Sequence, residues 1–198
     1  MSDGKCWPSC PRAPHLCHAI ADGIDFAARL SMEDTPPSNI IWLNAGDAIG
    51  FGDVPESIDL LLQRGVIAYR TDPAQADALF REALAADPSQ LPVYFCLYKI
   101  HTYRGRLDEA LAAARAGLAE AARQAGWSAD CREWQVQPSL EGPCRFALYT
   151  LKALAFIHLR RDEPDEARRL LDILARTDPS GAVGWPVVAA LAEGVVRG

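Results

Sequence analysis

Cys6-x3-Cys10-x6-Cys17, with His15 and His18 alongside, is the densest run of metal-binding side chains in the sequence. Zinc and iron–sulfur centres need soft thiolates that converge on one point. Cys6, Cys10, Cys17 and His18 are therefore the metal candidates, and the role they would carry is a metal- or redox-linked accessory in metalloenzyme maturation. Their spacing argues against it. There is no CxxC pair, so the tight turn that presents two ligands together is missing, and haem attachment would need CxxCH. The favoured reading is a proline-punctuated segment with free thiols, no metal and no cofactor.

His101 and His158 are the other residues of a type suited to chemistry. No Ser-His-Asp or Cys-His arrangement and no paired carboxylates accompany them, so no enzymatic activity is expected. Packing with a satisfied ring nitrogen is the expectation for both. Cys96 falls inside a helical pattern and reads as a small buried hydrophobe.

The net charge of −6 argues against nucleic acid, because binding phosphates needs a basic face. No apolar run approaches 18 residues, so a membrane span is not expected. The opening Met1-Ser2-Asp3-Gly4-Lys5 lacks the layout of a signal peptide, which points to a cytoplasmic protein with reduced cysteines. Only Lys5, Lys99 and Lys152 are lysines among 20 basic residues. That arginine bias, with abundant alanine, hints at a GC-rich bacterial gene.

Helical spacing and its punctuation place the elements. Pro8, Pro11 and Pro14 keep residues 1–15 out of a helix interior, extended or disordered. Leu16, Ile20, Ile24 and Ala27 predict a helix over 16–30, and Thr35-Pro36-Pro37-Ser38 reads as a linker. Gly46, Gly50 and Gly52 do not make a phosphate-binding GxGxxG. Helices are then predicted from about Asp53 to Arg70, Ala74 to Ala86, Leu91 to Tyr103 and Leu107 to Gln124. Asp87-Pro88 stops the second, Gly105 turns after the third, and Gly126 caps the fourth. An inserted loop covers about 127–143. Further helices follow over 145–160 and 165–176, and a last apolar one over 186–196.

The same surroundings recur along these helices. Ala76-x3-Phe80 is followed by Asp87-Pro88. Ala110-x3-Ala114 follows Tyr94-x2-Leu97-Tyr98-x2-His101, and Ala167-x3-Leu171 follows Leu151-x2-Leu154-Ala155-x2-His158. Ala76 and Ala110 are 34 residues apart; Ala110 and Ala167 are 57 apart, the same period plus an insertion of 23. A period of 34 with the pattern W-x2-L-G-x2-Y…A-x3-F…P resembles the tetratricopeptide repeat (TPR) family over about residues 56–180. Tyr94 and Leu151 stand at its Trp position, His101 and His158 at its Tyr position, and the first repeat is one residue short between Gly65 and Ala76.

The resemblance implies an all-α fold: a TPR-like right-handed superhelical stack of helix–turn–helix repeats with flanking helices. Each repeat pairs a helix A with a helix B, crossing closely at Ala76, Ala110 and Ala167. Residues 1–52 form an N-terminal Cys/Pro-rich segment with a flanking helix. Residues 53–198 form the repeat domain with the insertion at about 127–143. Three repeats suffice to bury a continuous core.

A helices line the concave face in such folds. By register this face carries Phe95, Lys99, Thr102 and Tyr103, then Tyr149, Lys152, Phe156 and Arg160. Two of three lysines on one aromatic face of an acidic protein suggest an anchor for an acidic or amphipathic protein segment. The expected function is that of an adaptor or chaperone. The subset of the family that clamps chaperone carboxylates uses Asn in this face; Cys96 and Ala153 at those positions argue against that partner. The insertion is expected to fold over the groove or occupy it. The last helix, apolar on nearly all sides with Val187, Val188, Ala189, Leu191, Val195 and Val196, is expected to pack on the third repeat and to mediate a homo-oligomer.

Overall fold

The computed structural model describes residues 50–136 and 140–196. Cys6, Cys10, Cys17, His15, His18 and the helix expected over 16–30 lie outside the described residues. Seven α-helices follow one another, and no strand occurs among the described residues. They are α1 (Glu56–Tyr69), α2 (Pro73–Ala86), α3 (Leu91–Tyr103), α4 (Leu107–Ala125), α5 (Gly142–Arg160), α6 (Pro164–Thr177) and α7 (Trp185–Val196), with a short 3-10 turn over Cys131–Glu133.

Local chemistry sets the ends. Asp72 Oδ1 accepts the Ala74 and Gln75 N–H groups at 3.1 and 3.0 Å, and Pro73 opens α2, where a missing N–H costs nothing. Gly126 closes α4 at φ 67°, a left-handed conformation natural to glycine. The chain before α5 shows a difference from expectation: the helix begins at Gly142, so Pro143 sits in its first turn and not in the loop.

Each helix packs on the next, and α1 meets α3, α3 meets α5, and α5 meets α7 across the intervening helix. The odd-numbered helices therefore share one layer. Small residues permit the close crossings. Ala76, Ala110 and Ala167 are fully buried. A Cβ at Gly65 would lie 2.3 Å from Phe80 Cε1, and one at Gly117 would lie 2.7 Å from Tyr94 Cβ. The Phe80 ring thus occupies the space that glycine leaves, and its burial contributes about 1.5–3 kcal/mol. One core cluster spans α1 to α5, a second spans α3 to α7, and Leu118, Phe146, Tyr149 and Leu170 pack against both. No described helix is long and apolar enough to cross a membrane.

The last helix turns Val188 and Ala192 inward and leaves Val187 52% exposed. The loop before it is built on Asp178. This buried carboxylate accepts from Ala182 N and Val183 N at 3.0 Å each and from Ser180 Oγ at 2.8 Å. Trp185 Nε1 donates to the Asp178 carbonyl at 2.9 Å. The Asp-Pro that reads in sequence as a helix stop is also the organiser of the turn into α7.

Candidate functional site

Phe95, Lys99 and Tyr103 recur at i, i+4 and i+8 on α3, so they form one stripe. On α5, Arg145, Tyr149 and Lys152 recur at i, i+4 and i+7. Because α3 and α5 are in contact, the stripes meet: the Phe95 and Tyr149 ring centroids are 5.9 Å apart. Lys99 Nζ lies 4.9 Å from the Phe95 centroid and 5.9 Å from that of Tyr103. Lys152 Nζ lies 3.9 Å from the Tyr149 centroid, within cation–π range. Five of the eight residues expected to share a face are thereby linked ring to ring or cation to ring.

The other three are placed differently. Thr102 is buried and its hydroxyl donates to the Tyr98 carbonyl at 2.6 Å, so it offers a partner little. Arg160 Nη1 reaches the Thr102 carbonyl at 3.4 Å and bridges α5 to α3. Phe156 is half-buried against the second core cluster.

Arg145 belongs with this group, although no sequence motif singles it out. Its place in the stripe with Tyr149 and Lys152 was a readable signal. The donors of the three cations are largely unspent. An ammonium has three N–H groups. Lys152 donates one, to the Val183 carbonyl at 2.6 Å, and no hydrogen bond from Lys99 is found among the described residues. Arg145 Nη2 is 3.5 Å from the Ala182 carbonyl, and its buried Nε has no partner. No carboxylate pairs with any of the three among the described residues. In a chain of net charge −6, this cluster has no counter-ion among the described residues.

The surroundings alter the acid–base behaviour of the site. Burial, then the charges of Arg145 and Lys99, bring Lys152 down to about 8. Burial lowers Lys99 as well. It pushes Tyr103 up to about 12, raises Tyr149, and holds the Cys96 thiol up at about 12, so Cys96 is an inert part of the core.

Both histidines are buried, and each has one ring nitrogen on a carboxylate. His101 Nε2 is 3.1 Å from Asp77 Oδ1, across to α2 of the preceding helix pair. His158 Nδ1 is 2.6 Å from Glu163 Oε2, which begins the next helix of its own pair. The shared repeat position thus uses its imidazole in two ways. His101 Nδ1 has no hydrogen-bond partner, and burial lowers its pKa against the opposing pull of Asp77.

In the insertion, the Trp127 and Trp134 rings pack 4.7 Å apart, and Trp134 Nε1 donates to the Ser128 carbonyl at 2.7 Å. Arg176 Nη2 donates to the Arg132 carbonyl at 2.7 Å and ties the insertion to α6. No hydrogen bond joins its described residues to Lys99, Lys152 or Arg145. Among the described residues, no three His, Cys, Asp or Glu side chains gather as a metal site.

Compared with known proteins, the chain finds no counterpart: no family model matches it, and neither does any curated protein or solved structure.

Proposed function

We propose that this chain is a protein-binding adaptor or chaperone of the TPR-like type, whose odd-numbered helices form a concave groove for an acidic protein segment. The single observation that carries the reading is the Lys99, Lys152 and Arg145 cluster, set among aromatic rings and lacking a counter-ion among the described residues. Rings supply contact area at low entropy cost, while the cations select carboxylates and reject basic sequences. The close crossings at Gly65, Ala76, Ala110 and Ala167 support the helix-pair repeat, and the contacts α1–α3–α5 support a common face.

Capture of a partner from the native host, followed by titration against Lys99→Glu/Lys152→Glu, tests the proposal. Affinity is expected to fall in the variant and to weaken with salt in the wild type, because dissolved ions screen the attraction between the cations and an acidic segment. An unchanged affinity in a folded variant would place the binding surface elsewhere. Association of two chains through the outer face of α7 belongs to the same proposal and is supported by exposed Val187. Light scattering on wild type and Val187→Glu tests it; a monomer at every concentration removes it.

A further inference from the structure

Helix α1 is apolar on two opposite sides. Ile58, Leu62, Gly65 and Ala68 are buried on the side that packs on α2. Leu60 and Ile67 stand on the other side, 57% and 72% exposed. They are seven residues apart, two helical turns along one stripe. Ile67 is the most exposed large apolar side chain among the described residues. Arg64 lies between the two, exposed, and its side chain has no hydrogen bond or ion pair among the described residues. A helix apolar on both sides is stable when both are covered, and α1 is the first helix of the described stack. The end of such a stack needs a capping element with a polar outer face.

We propose that residues 16–30 of this chain form an amphipathic helix that docks antiparallel on the Leu60–Ile67 stripe and caps the stack. The spacing of the two stripes matches. Leu60, Arg64 and Ile67 advance by four residues and then three; Ala27, Gly23 and Ile20, read backwards, step by the same four and three. Ala27 then meets Leu60, Ile20 meets Ile67, and Gly23 falls opposite Arg64. A glycine there leaves room for the arginine stem to lie across the contact and carry its guanidinium out to water or to the flank bearing Asp22. The chain already uses Gly65 and Gly117 for close helix crossings. The outer side of the segment carries His18, Asp22, Asp25 and Arg29, as a cap requires. The tether favours this occupant over a second copy. Phe51, buried in the first core cluster, anchors the chain just before α1, and antiparallel docking returns Leu30 to that same end. A short flexible tether gives an effective concentration of roughly millimolar, which a second copy does not reach in dilute solution. The cap stands apart from the Lys99–Lys152 face and needs no protein partner.

Amide hydrogen exchange on the full chain, read by peptide mass, tests the cap. In the wild type, residues 16–30 are expected to exchange at least about tenfold more slowly than an unstructured chain. Leu60→Glu/Ile67→Glu changes only exposed side chains, and it should abolish that protection while α3 to α6 keep theirs. Ile20→Glu/Ala27→Glu changes the other partner, and it should speed exchange in α1 relative to α3 to α6. This second variant decides the matter should the first fail to fold. Unprotected residues 16–30 in the wild type overturn the proposal. So does protection that survives Leu60→Glu/Ile67→Glu in a folded protein, or an α1 indifferent to Ile20→Glu/Ala27→Glu. Protection that rises with protein concentration would assign the stripe to a second copy and overturn the intrachain cap.

Discussion

Lys152 and Val183 are 31 residues apart and are joined by a 2.6 Å hydrogen bond from the Lys152 ammonium to the Val183 carbonyl. The bond ties the proposed binding face to the turn that launches α7. The carbonyl is held in place by Asp178, which accepts the Val183 N–H. A buried carboxylate at the end of α6 therefore sets the position of a cation on α5.

Asp178→Ala should lower stability by about 1.5–3 kcal/mol or more, because hydrogen bonds to a charged, buried acceptor are lost together. Urea denaturation measures it. A shift of the midpoint within error of zero would mean that the loop holds its shape without the carboxylate.

Gly65→Ala should force the Phe80 ring to move. Overpacking costs about 1–3 kcal/mol, against a helix-propensity gain of under about 1 kcal/mol. Combining it with Phe80→Leu should cost less than the sum of the single changes, since the smaller side chain makes room. Ala110→Phe, at the equivalent crossing of the second pair, should destabilise by about 1–3 kcal/mol. Additive costs at residues 65 and 80 would contradict the close approach.

His101 gives stability a pH dependence of definite sign. Its folded pKa is lowered, chiefly by burial, so the unfolded chain binds its proton more readily. The stabilisation is complete above the unfolded value of about 6.5 and is lost as pH falls through the lower folded value. Protonation would also place a second N–H on buried Nδ1, which has no acceptor. Denaturation midpoints between pH 8 and 5 should decline in the wild type and flatten in His101→Gln. Equal slopes would assign the decline to other groups.

Helix limits were readable because this chain marks them with Asp, Pro and Gly: Asp72-Pro73 and Gly126 fall at the expected ends. The start of α5 was not, because Pro143 suits a helix's first turn as well as a loop, and position alone does not separate the two. The lysine–aromatic face follows from residue spacing plus a register, and both are readable in the sequence. Arg145 needed only the extension of that stripe by one turn. What no spacing conveys is a backbone acceptor such as the Val183 carbonyl, whose location depends on the loop built around Asp178. Likewise, the twin histidines look alike in sequence; only the fold shows that His101 binds across a helix pair and His158 within one.

Cys96 stands near the middle of α3, 6% exposed, with its thiol held up at about 12. A thiolate is the species that alkylating reagents attack. While α3 remains packed, this sulfur should be silent toward them. Its rate of modification, followed by peptide mass alongside the less buried Cys131 and Cys144, becomes a clock for the opening of the central helix. A ligand that closes the α3–α5 face would slow that clock, so the chain carries its own reporter of occupancy without any engineered label.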